Sequence, residues 1–244
     1  MAGKPTFDKL LLIARPAAGK SEVINYLKRT PISQRIERFH IGQIAEIDDF
    51  PMLYTWFEED ALLEQMGYPR LHTDSEGYFL GNHLWNLLIE RIGLEYQKKL
   101  RDVEGLTETY TTLVEFSRGK EHGGYASAFA HLPAPMLEKM AVLYLQVSWE
   151  ESLRKNRKRF NPDRPDSILE HSLPDAKLAR LYKESDWEEV SAADPHTLQI
   201  QGRRVPYAVF ENEDDVTTPQ GWALGQRLQD RLSVLWELYR GAQR

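Results

Sequence analysis

The 244-residue sequence contains no cysteine. This absence excludes disulfide bonds, thiolate nucleophiles and cysteine-ligated zinc, and it is compatible with a reducing compartment. The seven histidines form no HExxH or HxxxH pair, so the pattern of a helical zinc site is missing too.

The chain also lacks a long apolar run and an excess of positive charge. No stretch approaches the roughly 18–20 apolar residues of a membrane span, and the first nine residues lack the apolar segment of a signal peptide. The net charge is −6, which argues against a nucleic-acid-binding surface over the whole protein. We therefore expect a cytoplasmic protein with no membrane partner, and nucleic acid is not the expected partner.

The composition is that of a globular protein, with 41% hydrophobic and 28% charged residues. There is no internal repeat of 20–50 residues and no low-complexity tract. The length suits one large α/β domain with an inserted lid. We expect a single domain over residues 1–244.

Apolar segments alternate with amphipathic ones along the chain. Strands are predicted at 10–14, 35–41, 109–119 and 141–149, and the segment 197–210 is predicted to form a short strand, a turn at Gly202 and a final core strand. Helices are predicted at 19–29, 51–66, 79–101, near 175–184, and from Thr218-Pro219 as N-cap and first helical position. This order predicts an α/β fold in three layers, a parallel sheet of about five strands with helices on both faces. The polar, proline-broken stretch at about 150–195 predicts a helical lid.

The first strand leads into a motif of a specific kind. Ala14, four intervening residues and then Gly19-Lys20-Ser21 fit a relaxed P-loop pattern in which alanine replaces the first glycine. In such a loop, backbone N–H groups and the helix N-terminus hold phosphate, the lysine reaches the β and γ oxygens, and the hydroxyl binds Mg²⁺. The alternative is an ordinary turn with a solvated lysine. The predicted nucleotide-binding residues are Arg15, Pro16, Ala17, Ala18, Gly19, Lys20, Ser21 and Glu22.

On this motif and the order of its elements, the chain resembles the P-loop kinases of nucleosides, nucleotides and small metabolites. The resemblance implies ATP and Mg²⁺ at the carboxyl ends of the strands. It also implies an acceptor-binding helical region after the second strand, at about 42–105, and an arginine-bearing lid after the fourth strand. The expected activity is transfer of the γ-phosphoryl group of ATP to a small acceptor. The alternative is a regulatory or RNA-associated nucleotide-binding module without kinase activity.

Glu115 and Arg118 lie at the end of the third predicted strand, in "VEFSRG". A carboxylate inside an apolar strand is costly unless it is near a cation, so Glu115 is a candidate Mg²⁺ ligand together with Ser21. In the kinase-like interpretation, Arg118 holds phosphate. The alternative is a glutamate on a half-exposed strand.

Basic residues crowd the beginning of the predicted lid, and they include Arg154, Arg157, Arg159 and Arg164. Arg159 would point away from the face that Arg154 and Arg157 share. Arg154 and Arg157 would share one helical face, so we expect this pair to stabilise the transferring phosphoryl group when the lid closes. The alternative is a solvated basic helix end or an RNA-binding patch.

Asp48 and Asp49 follow the second predicted strand. For a hydroxyl acceptor, either carboxylate could orient the hydroxyl or accept its proton. For a phosphate acceptor no base is needed, and Arg38 or Arg70 would act as the anion clamp. The pair could also simply begin a helix.

Two further groups of residues have open alternatives. Seven aromatic residues could stack on a nucleobase or form core: Tyr54, Trp56, Phe57, Tyr68, Tyr78, Phe79 and Trp85. Asn212, Glu213 and Asp214 could contact the adenine edge or form an acidic turn. The residues leave the acceptor and the oligomeric state open.

Overall fold

The structure, a computed structural model, describes residues 4–159 and 172–242. Within these ranges it contains six strands: β1 (Lys9–Ala14), β2 (Gln43–Asp48), β3 (Tyr110–Phe116), β4 (Met140–Gln146), β5 (Thr197–Ile200) and β6 (Arg203–Glu211). The helices are α1 (Lys20–Arg29), α2 (Ile32–Phe39), α3 (Phe50–Gln65), α4 (His83–Asp102), α5 (Leu106–Thr109), α6 (Gly124–Ala130), α7 (Ala134–Leu137), α8 (Trp149–Arg159), α9 (Asp175–Tyr182), α10 (Trp187–Ser191) and α11 (Trp222–Gly241).

The strands form one mixed sheet in the order β2-β3-β1-β4-β6-β5. The first five are parallel, and β5 pairs antiparallel with β6 at one edge. The predicted α/β fold is confirmed. The sheet has six strands because the 197–210 segment turns at Gly202, where a hairpin adds β5 as an antiparallel edge strand.

The central strand β1 is buried on both faces of the sheet. Leu11 and Ile13 belong to the hydrophobic cluster that includes residues of α4 and α6, whereas Leu10 and Leu12 belong to the cluster that includes residues of α1 and α11. Successive side chains of a strand point to opposite faces, so a strand covered on both sides must be apolar throughout. This explains the unbroken run Leu10 to Ala14.

The predicted strand at 35–41 is wrong. The segment forms α2, which ends at Phe39, and its buried residues Arg35 and Phe39 lie four positions apart on one helical face. The Arg35 guanidinium donates to the carbonyl oxygens of Leu27 and Gly42, at 3.0 Å each. The second strand is instead 43–48, so Asp48 is its last residue.

The predicted start of the last helix is also wrong. The Thr218 hydroxyl donates to the Asp215 carboxylate at 2.8 Å, so it stabilises a turn and does not cap a helix. Gln220 then adopts a left-handed φ of 49°, and α11 begins at Trp222 with Gly221 as its N-cap. Elsewhere the predicted elements differ from the observed ones mainly at their ends.

The sheet topology creates a crevice at the carboxyl ends of the central strands. The connection that follows β1 leads past β3 to β2, whereas the connection that follows β3 crosses to β4 on the other side of β1. Ligands bind at such switch points in open α/β sheets. Among the described residues, none of the helices combines the length and apolar character needed to cross a bilayer.

Candidate functional site

The loop between β1 and α1 lies at this crevice. Ala17 has a φ of 58° and Gly19 a φ of 108°, both in the left-handed region. Left-handed residues that alternate with right-handed ones direct neighbouring N–H groups into one concavity, which is the geometry of an anion-binding nest.

Two side chains hold this loop from behind by its carbonyl groups. The Ser152 hydroxyl donates to the Pro16 carbonyl at 2.8 Å, and the Asn212 amide donates to the Ala18 carbonyl at 2.8 Å. The N–H of the next residue points away from each carbonyl, since the peptide bond is planar and trans. The N–H groups of Ala17 and Gly19 are therefore turned away from these side chains.

The N–H groups on the front of the loop are available to a ligand. Within the described residues, the backbone N–H groups of Ala17, Gly19, Lys20 and Ser21 make no hydrogen bond to the protein. An unpaired N–H is costly when it is dry and useful when an anion accepts its proton. The front of the loop therefore has the donors that a polyphosphate requires.

Both the left-handed backbone conformation and the close approach of a neighbouring residue require glycine at position 19. A Cβ at this position would lie 2.5 Å from the Thr217 hydroxyl oxygen. Thr217 is itself fully buried and accepts hydrogen bonds from Asn212 at 2.8 Å and from Lys155 at 2.9 Å. The back of the loop is thus packed against a fixed group.

The eight predicted nucleotide-binding residues differ in where they lie. Pro16, Ala17, Lys20 and Ser21 line the main cavity of the described residues. Arg15 faces the other way, and its Nη1 donates to the carbonyl oxygens of Tyr182 and Lys183 at 2.5 and 2.7 Å. Ala18, Gly19 and Glu22 do not line the cavity.

The cavity has a volume of about 550 Å³ and extends from the loop to α3 and α9. Lys20 lies at its inner end, where its ammonium donates to the Ser117 hydroxyl at 2.7 Å. Glu115, which is only 5% exposed and is close enough to interact electrostatically with Lys20, lines the same cavity, as does Ser21. This end thus brings together a flexible cation, a hydroxyl and a carboxylate, as the P-loop interpretation requires.

A pair of carboxylates faces Lys20. Asp48 and Glu115 are register partners on β2 and β3. Burial raises the pKa of Asp48 to about 8, with further contributions from Glu115 and Asp49. Burial likewise raises the pKa of Glu115, although Lys20 opposes this shift. Without a ligand, the cavity therefore holds carboxylates that resist ionisation.

The residues at this end fit Mg²⁺ bound together with a nucleotide. Within the described ranges, no group of three or more Asp, Glu, His or Cys is placed to hold a metal ion by itself. Mg²⁺ commonly takes one or two protein ligands, with phosphate oxygens and waters completing its octahedron. Ser21 and Glu115 are the residues here that would supply such ligands.

Arg118 and Asp49 form a buried ion pair beside the cavity. The guanidinium Nη1 donates to the Asp49 carboxylate at 2.6 Å and to the Ser117 carbonyl at 2.7 Å, and Nη2 donates to the Trp85 carbonyl at 3.2 Å. Its Nε is buried and has no hydrogen-bond partner among the described residues. Asp49 thus has a partner, which distinguishes it from the adjacent Asp48.

The outer end of the cavity is aromatic. Five of the seven aromatic residues singled out in the sequence line it: Tyr54, Phe57, Tyr78, Phe79 and Trp85. Of the other two, Trp56 is buried and stacks on His72, and Tyr68 is 60% exposed. The predicted acceptor region therefore contributes α3, the beginning of α4 and the loop between them.

That loop is held to α3 by a fully buried carboxylate. Asp60 accepts hydrogen bonds from the backbone N–H groups of Leu71, His72 and Thr73 and from the Thr73 hydroxyl. Burial favours the neutral acid, but these hydrogen bonds outweigh it and lower the pKa of Asp60 to about 2. Asp60 thus positions the segment that carries Tyr78 and Phe79.

The structure places Arg154 and Arg157 outside the cavity. Arg154 donates to Glu151 and Asp215, and Arg157 donates to Asp175. The same helix, α8, instead presents Asn156 and Arg159 to the cavity.

Part of the predicted lid lies outside the described residues. This part comprises 160–171 and includes Arg164. On either side of it, Asn156 donates to the Leu173 carbonyl at 2.8 Å and accepts from the Leu173 N–H at 3.2 Å.

The acidic turn after β6 supports the loop and its neighbours. Asn212 holds the Ala18 carbonyl, Glu213 accepts from the Ser148 hydroxyl at 2.6 Å, and Asp214 pairs with Arg227. None of the three lines the cavity.

Sequence reasoning missed Ser152 and Asn156 on α8, and it set Arg159 aside in favour of Arg154 and Arg157. A signal was present, because Ser152 and Asn156 are uncharged polar residues one turn apart in a helix that is otherwise strongly charged. Both are buried, and Arg159 follows three residues later on the same face.

Comparison with known proteins finds no family model that matches the sequence and no curated protein similar to it. The function must therefore be inferred from the site itself.

Proposed function

We propose that this protein is an ATP-dependent phosphotransferase that moves the γ-phosphoryl group to a small acceptor bound in the 550 Å³ cavity. The observation that carries the proposal is the orientation of the loop after β1. Ser152 and Asn212 hold its carbonyl groups from behind, which leaves its N–H groups to a phosphate chain. Such a loop, between a buried parallel strand and a helix, suits the phosphate chain of a nucleoside triphosphate.

The residues around the loop support transfer as well as binding. Lys20 would neutralise the β and γ phosphate oxygens, and Arg159 lines the cavity from α8. Mg²⁺, held by Ser21 and Glu115 together with the nucleotide, would supply further charge neutralisation. Beyond Lys20 the cavity continues to an aromatic end, which leaves space for an acceptor. A module that only binds nucleotide would not need that space.

The first test is nucleotide binding by a Lys20→Ala variant. We expect the affinity for a non-hydrolysable Mg-ATP analogue, measured by calorimetry, to fall at least about tenfold, which corresponds to the loss of one charge-assisted contact. Lys98→Ala, an exposed lysine on α4, serves as the matched control and should leave the affinity unchanged. Equal affinities of the Lys20→Ala variant and the wild type would exclude the P-loop assignment.

The second test distinguishes a kinase from a nucleotide-binding module. ADP release from Mg-ATP is followed with and without pools of nucleosides, nucleotides and sugars. Release that depends on one pool supports phosphotransfer. Slow release that no pool accelerates would favour the regulatory or RNA-associated module instead.

A further inference from the structure

The charge at the inner end of the cavity is unsuited to an acceptor that is itself a phosphate. Three carboxylate residues, Glu46, Asp48 and Glu115, line this end. A buried carboxyl group either stays neutral or, when it is ionised, repels an anion, so in neither state does it attract a phosphate. A dianionic phosphate would have to sit next to these carboxylates in addition to the phosphates of ATP.

Lys20 and Arg159, which also line the cavity, are assigned above to the phosphates of ATP, and Arg118 is already occupied. Arg118 is 3% exposed, and its two terminal nitrogens donate to Asp49, Ser117 and Trp85. The terminal nitrogens are the pair that grips a phosphate in the bidentate arrangement. They could bind an acceptor phosphate only by leaving Asp49 unpaired in a buried position, which is costly.

The other two candidate anion clamps lie elsewhere. Arg38 donates to Gln229 on α11 at 3.0 Å. Arg70 donates to Thr73 and to Glu64. Neither lines the cavity.

Asp48 has the position and the free oxygen to bind a hydroxyl. Its Oδ1 accepts the N–H of Phe50 at 2.9 Å, whereas Oδ2 has no hydrogen-bond partner among the described residues. It ends β2 directly beside Glu115 of β3. A hydroxyl held by Asp48 would therefore lie next to the end of the cavity that faces Lys20.

The outer end of the cavity favours a flat, uncharged body. Phe57 and Phe79 lie nearly parallel with their centroids 6.2 Å apart, and Tyr78 and Trp85 complete this wall. The cation there, Lys177, donates to the carbonyl groups of Glu76 and Gly77 and lies over the Phe57 and Tyr78 rings. Planar rings bind to such walls by stacking.

We infer that the acceptor is a neutral alcohol that carries a flat ring, the chemistry of a nucleoside, and that Asp48 binds the attacking hydroxyl. This inference rests on the proposed phosphotransfer. In the reaction, the hydroxyl oxygen bonds to the γ-phosphorus while the bond from that phosphorus to the β–γ bridging oxygen breaks, and ADP leaves with the electron pair. The hydroxyl donates a hydrogen bond to Oδ2 of Asp48, and its proton is released to solvent as the new bond to phosphorus forms. Asp49 is a positioning residue that holds Arg118.

The test uses acceptors that share the same base and sugar and differ in whether the 5′-hydroxyl is free or carries a phosphate. The full chain is incubated with Mg-ATP and either the common ribo- and deoxyribonucleosides or the same compounds as 5′-monophosphates. Product is identified by ³¹P NMR, and ADP release is timed. We expect at least one nucleoside to raise ADP release about tenfold or more above the rate without acceptor, and its monophosphate to leave that rate unchanged.

Two outcomes would overturn the inference and leave the proposed function standing. Acceleration by a monophosphate alone would show that Arg118 or another cation binds an anionic acceptor. No acceleration by any nucleoside, with Mg-ATP binding intact in calorimetry, would exclude the nucleoside-like class. Failure of Mg-ATP to bind at all would instead contradict the proposed function itself.

An Asp48→Asn variant tests the role of the carboxylate. It keeps the shape and the acceptor for the Phe50 N–H, so we expect the same fold and ATP affinity within about twofold. Acceptor-dependent turnover should be about 100-fold lower, because an amide NH₂ replaces the Oδ2 atom that accepts the hydrogen bond of the hydroxyl. Glu59→Gln, an exposed acid on α3, is the matched control and should behave as wild type. Unchanged turnover in Asp48→Asn would exclude Asp48 as the hydroxyl's partner.

Discussion

The front and the back of the loop after β1 differ in how their polar groups are satisfied. On the back, Pro16 and Ala18 present carbonyl groups that Ser152 and Asn212 bind. On the front, the N–H groups of Ala17 and Gly19 make no hydrogen bond to the described protein. One short segment is thus anchored on one side and open on the other. Rigidity on the back is what allows the front to keep donors in place for a ligand.

The same contrast holds for the charges. Behind the loop, Lys155 and Asp215 pair at 2.6 Å and Thr217 completes their hydrogen bonds. In front, Asp48 and Glu115 lie side by side with raised pKa values. The charges behind the loop stabilise the fold, whereas the carboxyl groups in front resist ionisation because they are buried.

The largest effect should follow from breaking the contact behind Gly19. Gly19→Ala forces a residue with a Cβ into a φ of 108° and brings that Cβ against Thr217. We expect a loss of about 2–5 kcal/mol in the free energy of unfolding, measured with urea, because strain and overpacking each cost about 1–3 kcal/mol. Gly202→Ala is the control, since Gly202 also has a left-handed φ but nothing within 4 Å. It should lose only about 1–2 kcal/mol, and equal losses at both sites would mean that Thr217 does not confine the loop.

Removing the side chain of Asn212 should destabilise the loop after β1 and thereby weaken ligand binding by the N–H groups on its front. Asn212→Ala leaves the buried Ala18 carbonyl without its donor, so we expect a loss of about 1–3 kcal/mol in stability and weaker binding of the Mg-ATP analogue. Asn86→Ala, which removes the hydrogen bond to Ser127 on α6, is a control away from the loop. If both variants bind the analogue equally well, the anchor does not orient the loop.

The buried carboxyl groups of the cavity should make the protein more stable in mild acid than at alkaline pH. A pKa raised to about 8 in the folded state means that Asp48 binds its proton more tightly when folded than when unfolded. Its contribution to stability is fully present below about pH 4 and is lost as the pH rises through about 8. In metal-free buffer, Asp48→Asn should flatten this part of the pH profile and exceed wild-type stability at pH 9 by about 1 kcal/mol or more. Parallel profiles for the two proteins would show that Asp48 ionises freely.

The smallest effect is expected on the outer face of α8. Arg154 is half exposed and pairs with Glu151 and Asp215, so Arg154→Gln should cost no more than about 1 kcal/mol and leave turnover within about twofold. Arg159→Gln, a change to the cavity-lining arginine of the same helix, should lower turnover at least about tenfold. A larger loss of turnover in Arg154→Gln than in Arg159→Gln would indicate that Arg154, as the sequence predicted, is the arginine that stabilises the transferring phosphoryl group.

The fold and the loop were predictable because consecutive residues encode them. The confirmed core strands β1, β3 and β4 consist mainly of apolar, β-branched and aromatic residues, and the loop motif lies within eight adjacent positions. The failure at 35–41 has a local cause too. Ile36, Phe39 and Ile41 suit a short helix or a strand, and contact between α2 and α11 decides between them.

The candidate site was predictable only in part. Sequence alone placed Lys20, Ser21 and Glu115 correctly at one cavity, because all three lie at the carboxyl ends of parallel strands or at the helix that follows β1. It did not distinguish Asp48, which has an oxygen without a partner among the described residues, from Asp49, which is paired with an arginine. The distinction depends on Arg118, 69 residues further along the chain, which pairs with Asp49 alone.

By itself, the sequence determined an α/β fold with a mostly parallel sheet and a glycine turn between the first strand and the first helix, because both follow from local patterns of burial and turn geometry. Only the tertiary structure decided which arginines face the cavity and which groups hold the loop. A helix as charged as α8 has few apolar residues to fix its rotation. The hydrogen bonds behind the loop come from Ser152 and Asn212, distant positions that meet the loop only once the sheet has formed.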